Sequence, residues 1–195
     1  MAKVIVVGGG PAGIMAAMTA AKNNDVIVLE RNNEIGKKLK LTGGGRCNIT
    51  NNREIEEFFD KIVTNKKFLY SALYTFSNYS LLEYLSSKGL EYKVELDEKV
   101  YTKSDKADEV IEILKKDLKD NRVTIKYNTM VTNLIVEENV VKGVITSDGK
   151  KLLADKVIIT TGGKSFPQTG SDGAMYEVLK EYGHTITPIC AALIP

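Results

Sequence analysis

The chain has no tryptophan, one histidine and two cysteines, Cys47 and Cys190, which do not form a Cys-x-x-Cys pair. Without paired cysteines, a reduced, cytoplasmic protein is the expectation. No nucleophile stands beside a base and no metal-ligating cluster can be read from the spacing. No apolar run approaches the ~20 residues of a membrane span. The short apolar run near the N-terminus lacks the pattern of a secretory signal. Charge of one sign is also missing: 27 basic and 25 acidic residues leave a net +2. Such a balance offers no strong field to nucleic acid or membrane, so neither is expected as a partner. Arginine is confined to Arg31, Arg46, Arg53 and Arg122. The 43% hydrophobic content over 195 residues suffices for one substantial core and leaves room for a small second lobe.

Glycine is placed with purpose. Residues 4–13 read Val-Ile-Val-Val-Gly-Gly-Gly-Pro-Ala-Gly. An apolar strand, Lys3–Val7, runs into a Gly-x-Gly-x-x-Gly turn and then a helix over Pro11–Lys22. Ile14, Met15, Ala17, Met18 and Ala21 lie at helical spacing there. In a pyrophosphate site Gly8 makes the tight turn, Gly10 admits the phosphates and Gly13 lets helix and strand pack closely. Pro11 suits the first helical position because its missing N–H would be unpaired there anyway. Together with Ala12 it opens a helix whose positive end faces the anion. A second apolar run, Val26–Leu29, ends in Glu30, which lies 17 residues past Gly13. An acid there serves the ribose hydroxyls and disfavours a 2′-phosphate.

Residues 36–52 form a polar, glycine-rich loop without helical or strand period. Ile55–Ser87 reads as helical, with Phe68, Leu69, Ala72, Leu73, Phe76, Leu81, Leu82 and Leu85 as a buried stripe and Gly89 as its stop. Ser104 is positioned to cap a helix over Asp105–Leu118. Four strand-like runs follow, Val123–Tyr127, Val131–Glu137, Val140–Ser147 and Lys151–Thr161, with turns at Glu138-Asn139 and Ser147-Asp148-Gly149. A last helix fits Asp172–Tyr182 before Gly183. His184 beyond it reads as a surface or capping residue. The predicted fold class is α/β: a Rossmann-like domain in three layers, its parallel sheet joined by an antiparallel meander at about 123–155, with a helical insertion at about 54–120. All 195 residues are read as one FAD/NAD(P)-binding domain. A single glycine fingerprint argues for one dinucleotide site, and the meander favours FAD over a plain NAD domain.

Three stretches then carry a resemblance to a known family. They are Thr42-Gly43-Gly44-Gly45-Arg46-Cys47-Asn48-Ile49-Thr50-Asn51, Thr161-Gly162-Gly163-Lys164-Ser165, and Gly170-Ser171-Asp172-Gly173. With Gly8–Gly13 and Glu30 they resemble bacterial flavoproteins of the aminoacetone oxidase and BaiN type, which are NAD(P)/FAD-dependent oxidoreductases. The resemblance runs from Met1 to Pro195. Members of that family are longer, so a truncated chain or gene fragment is expected, incomplete at its C-terminus and lacking the substrate-side domain. A missing C-terminal half or a dimer partner would then complete it.

The resemblance implies roles. Arg31 and Lys38 would sit beside the adenosine and phosphates, although a solvated Lys38 is an equal alternative. The loop of Thr42, Gly43, Gly44, Arg46, Cys47 and Asn48 would run along the cofactor, with Arg46 and Asn48 towards the flavin. Arg46 would stabilise negative charge on the reduced ring, or else clamp the loop carbonyls. Cys47 reads as a small packing residue rather than a redox thiol. Val131 would offer its backbone to adenine, and Thr161, Gly162 and Gly163 would bring a strand end near the cofactor. The implied activity is hydride transfer between flavin and a small organic substrate, with NAD(P)H or oxygen as second partner. A non-catalytic nucleotide-binding module and an NAD-dependent dehydrogenase domain are the alternatives.

Overall fold

The structure, a computed structural model, describes residues 1–190. The apolar end at 191–195 lies outside the described residues. The described residues part into two compact units: Met1–Ile35 with those from Asp120 onward, and Gly36–Lys119. The first opens with β1 (Lys3–Val7), α1 (Pro11–Ala21) and β2 (Asp25–Leu29). The second holds α2 (Lys37–Leu41), β3 (Thr50–Asn51), α3 (Ile55–Lys61), α4 (Tyr70–Thr75), α5 (Asn78–Ser87), β4 (Tyr92–Val94), β5 (Lys99–Thr102) and α6 (Ala107–Asp120). The chain then returns through β6 (Thr124–Lys126), β7 (Val131–Glu137), β8 (Val140–Thr146), β9 (Lys151–Leu153), β10 (Lys156–Ile159) and α7 (Ala174–Glu181).

β1 contributes four consecutive buried apolar residues, as a strand covered on both faces must. It pairs in parallel with β2 and β10, and β2 pairs in parallel with β6, giving the order β10-β1-β2-β6. Side chains alternate along β1. Ile5 and Val7 enter a cluster with Leu29, Val131, Leu134, Val144 and Met175. Val4 and Val6 take the other face, where α1 brings the buried Ile14 and Ala17. The layers are therefore α1, the parallel sheet, and the antiparallel sheet β7-β8-β9 with α7. This is the expected α/β, three-layer, Rossmann-like class.

Five expectations need correction. Val123–Tyr127 is not part of the meander. Its core, β6, aligns in parallel with β2, Ile27 opposite Thr124 and Leu29 opposite Lys126, so the antiparallel sheet begins at Val131. The run Lys151–Thr161 is two strands. β9 closes the antiparallel sheet, Asp155 turns the chain by accepting from the Lys3 amide at 2.7 Å, and β10 joins β1. The loop at 36–52 contains a five-residue helix, a 3-10 turn and a two-residue strand.

The helical stripe over Ile55–Ser87 is the largest miss. The segment breaks at left-handed Asn65 and at Phe76, and each break resets the helical phase. Phe59 takes the buried place and packs edge-on against Tyr70 at 4.3 Å. Phe68 is left 84% exposed and Phe76 41%. Only Leu82 and Leu85 of the stripe are fully buried. In the same unit α6 starts at Ala107 because the Thr102 hydroxyl accepts from the Lys106 amide at 3.0 Å, while the Ser104 hydroxyl donates to Glu109. The buried Asp117 carboxylate ties α6 to α5, accepting from the Tyr84 hydroxyl and the Lys88 ammonium, each at 2.6 Å.

Candidate nucleotide-binding site

The glycine turn lies at the carboxyl ends of the parallel strands. β1 sits there between its two parallel neighbours, β10 and β2, the switch point where open α/β sheets take their ligands. Gly8 has φ +104°, and a Cβ on it would lie 2.6 Å from the Thr160 carbonyl. A Cβ on Gly13 would lie 1.9 Å from the Gly8 carbonyl and 2.7 Å from the Thr160 hydroxyl. That hydroxyl donates to the carbonyls of Val7 at 2.9 Å and Gly8 at 3.1 Å. Gly8 and Gly13 are thus demanded by the protein's own packing.

Gly10 is different. Its φ is an ordinary −78°, and a Cβ on it would meet nothing within 4 Å. It is the N-cap of α1, and no side chain caps that helix. Pro11 has no N–H to offer, so Ala12 and Gly13 present the first-turn N–H groups that lack helical partners. The space above Gly10 is open at the positive end of an eleven-residue helix.

Glu30 is buried, with 6% exposure. One oxygen, Oε2, accepts from the Gly9 amide at 2.7 Å. The other, Oε1, accepts from the Asn32 amide at 2.8 Å and the Asn32 side chain at 2.7 Å. The carboxylate is therefore built into the turn that it was expected to stand beside. Arg31 reaches a different partner. Its Nη1 donates to the Gly170 carbonyl at 3.1 Å and to Asp172 at 2.6 Å. That hydrogen bond holds the Asp172 carboxyl below the usual carboxylate range.

The segment after β10 is held to the same place. The Ser171 hydroxyl donates to the Gly163 carbonyl at 2.8 Å, and Gly162, at φ +78°, leaves room for it. Val131 starts β7 with its side chain in the core. The structure brings Gly8, Gly10, Pro11, Ala12, Gly13, Glu30, Arg31, Thr161, Gly162 and Gly163 together around the strand ends. Ser171, from the Gly170-Ser171-Asp172-Gly173 stretch, shares this network; so do Thr160 and Asn32, which carry no motif strong enough to single them out. A polar residue two places after the acid was the only signal for Asn32.

In the second unit the loop at 42–48 has its own support. Gly43, Gly44 and Gly45 are left-handed, at φ +60°, +69° and +92°. Arg46 Nη1 donates to both Glu95 oxygens at 3.0 Å and to Asp105 at 3.4 Å, and its guanidinium lies 4.0 Å from the centre of the Tyr101 ring. Nε reaches the Gly43 carbonyl at 3.4 Å. Lys93 closes the ring of charges, with Asp105 at 2.7 Å and Glu95 at 3.1 Å. Hydrogen bonds from Lys93 and then Arg46 hold the Glu95 carboxyl below its usual range, and Lys93 does the same for Asp105. Cys47 is buried and its amide bonds the Thr42 carbonyl at 3.0 Å. Burial pushes its thiol up. Lys38 is lowered by burial. Gly44 and Asn48 are exposed. His184 is exposed, its amide bonded to the Leu179 carbonyl beyond Gly183.

A parallel sheet with a glycine turn and an uncapped helix at its carboxyl edge defines a Rossmann-type nucleotide-binding domain. The profile of the HI0933-like protein Rossmann domain matches residues 2–192. The chain belongs to this family, the flavoprotein oxidoreductase group that its 42–51 run resembles. It is 35% identical over 198 residues to the 3-dehydro-bile acid delta(4,6)-reductase of Clostridium scindens, covering 100% of this chain and 47% of that protein. It is 26% identical to the ribosomal RNA dihydrouridine synthase of Haemophilus influenzae, covering 98% and 48%. The fold is shared with 3-ketosteroid-delta4-(5alpha)-dehydrogenase from Rhodococcus jostii RHA1. There the TM-score is 0.69 at 17% identity, over 93% of this chain and 54% of that one. The chain spans about half the length of the two sequence relatives.

Proposed function

We propose that this chain is the FAD-binding part of a flavin-dependent oxidoreductase that moves a hydride between flavin and a small organic substrate. The observation that carries this reading is Gly10. The backbone there needs no glycine, and neighbouring protein atoms need none either. A ligand brought close to the uncapped start of α1 accounts for the missing side chain. The site fits the adenosine diphosphate part of FAD. Gly10, Ala12 and Gly13 would hold the pyrophosphate, Glu30 would accept from a ribose hydroxyl, and the Val131 backbone would meet the adenine edge. Arg31, Lys38 and the strand end at 161–163 would flank them. Thr42, Gly43, Gly44, Arg46, Cys47 and Asn48 would follow the cofactor to its ring. The bound isoalloxazine supplies the hydride chemistry, and the protein supplies orientation and charge.

The 35% likeness to a delta(4,6)-reductase supports a conjugated ketone as the substrate class. A ribosomal RNA substrate, carried by the name of the 26% relative, is disfavoured by the balanced charge of this chain. Among the described residues no helix is long and apolar enough to cross a membrane; a cytoplasmic setting with NAD(P)H as hydride source is part of the proposal. So is completion by a further polypeptide, a C-terminal half of the kind the longer relatives have room for or a second copy.

The test begins with FAD. The purified chain, titrated with FAD, is expected to retain the yellow chromophore through gel filtration, and Gly10→Val is expected to lose it while melting at the same temperature. A colourless wild-type protein would sink the reading. Anaerobic NADH or NADPH is then expected to bleach the bound flavin, and a conjugated ketone to restore it. Because the chain spans about half the relatives' length, a binding module without turnover is the second reading, and flavin that stays oxidised under both nucleotides would establish it.

A further inference from the structure

We infer that Asn32 is a positioning residue for the nucleotide, acting through the Glu30 carboxylate. The inference rests on the nucleotide reading above and adds a residue to it. Asn32 makes hydrogen bonds that converge on the site. Its amide and its side-chain Nδ2 both donate to Glu30 Oε1, at 2.8 and 2.7 Å. Nδ2 also donates to the Thr169 carbonyl at 3.0 Å, across 137 residues of sequence. Its own carbonyl accepts from the Asn128 amide at 3.0 Å. The side chain is thereby held between Glu30 and the loop before α7, and its backbone is tied to the segment after β6.

The consequence falls on Glu30. A carboxylate has about four acceptor positions. Asn32 takes the two on Oε1, and the Gly9 amide takes one on Oε2 at 2.7 Å. The remaining position is on Oε2, the oxygen that touches the glycine turn. Asn32 thus fixes the rotation of the carboxylate and leaves its open acceptor next to the place where the phosphates would lie. Without Nδ2, Glu30 keeps one bond on each oxygen and can turn about its last torsion, which is intrinsically broad. Loop placement does not rest on Asn32 alone, because Arg31 independently bonds Gly170 and Asp172. Loss of Asn32 should therefore blur the acceptor more than it unsettles the fold.

The experiment is a cycle of two proteins and two ligands. Binding of ADP and of 2′-deoxy-ADP to the wild-type chain and to Asn32→Ala is measured by titration calorimetry, with melting temperatures recorded alongside. Asn32→Ala is expected to weaken ADP about tenfold, the worth of one hydrogen bond to a charged group. It is expected to weaken 2′-deoxy-ADP less than about twofold, since that ligand lacks the hydroxyl Glu30 would receive. Equal weakening of both ligands, or unchanged ADP affinity, would overturn the inference and leave the nucleotide reading standing. A wild-type chain that binds neither ADP nor FAD would overturn both. Should Asn32→Ala fail to fold, Asn32→Ser is read in the same cycle with the same expectations, because its hydroxyl cannot span both Glu30 and Thr169.

Discussion

The two glycine-rich turns of this chain are held by opposite means. In the turn at 8–13 the backbone itself leaves no room: hypothetical Cβ atoms on Gly8 and Gly13 would strike the carbonyls of Thr160 and Gly8. In the turn at 43–45 the glycines are left-handed; a Cβ on Gly43 would press on the Tyr101 ring at 2.6 Å, while one on Gly44 would meet nothing within 4 Å. Its order comes from side chains, through the charged ring of Arg46, Lys93, Glu95 and Asp105. The first turn is part of the sheet and resists change as the core does. The second is a surface structure and answers to salt and pH.

The largest effect should come from Gly13→Ala. Helix propensity alone would favour alanine by about 1 kcal/mol. A contact of 1.9 Å with backbone should reverse that, costing about 3 kcal/mol or more. Urea denaturation checks it; a more stable variant would mean that α1 can move off the sheet. Gly8→Ala, strained by φ +104° and a 2.6 Å contact, should cost about 2–3 kcal/mol. Gly44→Ala carries only the left-handed penalty, about 1 kcal/mol. A cost matching that of Gly13→Ala would erase the contrast between the turns.

Acid should separate them as well. Glu95 and Asp105 have lowered carboxyl pKa values in the folded chain, so their contribution is present above the unfolded carboxylate range. It is lost as pH falls through their lowered folded values. Both groups face solvent, so the effect should be small and weakened by salt. Amide protection factors at 42–48, referred to the intrinsic exchange rate at each pH, should fall on acidification before those at 8–13 do. A simultaneous fall would show that the charged ring does not hold the loop.

Much of the nucleotide turn was legible because its determinants are local. The apolar run of β1, the glycine spacing and Pro11 all act within thirteen residues, and each follows from backbone sterics. Glu30 was legible as an acid at the end of β2. Its bond to Gly9 was not, because that bond depends on how β1 and β2 pair. Arg46 was equally visible, while its partners Glu95 and Asp105 lie 49 and 59 residues away. The helical segment misled for the same reason. Phe68 and Phe76 fit a stripe on paper, but the breaks at Asn65 and Phe76 rotate successive turns, and no pattern of apolar residues records that rotation.

Local sequence determined that this protein turns tightly after β1, opens a helix at Pro11 and leaves the first N–H groups of that helix without a side-chain cap. Those outcomes follow from φ freedom and from period, which neighbouring residues settle among themselves. Tertiary structure decided that Thr124–Lys126 joins the parallel sheet and that the Glu30 carboxylate faces Gly9. It also brought Asn32 to Thr169. Each of these is a pairing between distant segments, and its energy exists only once the sheet has brought them within hydrogen-bonding distance.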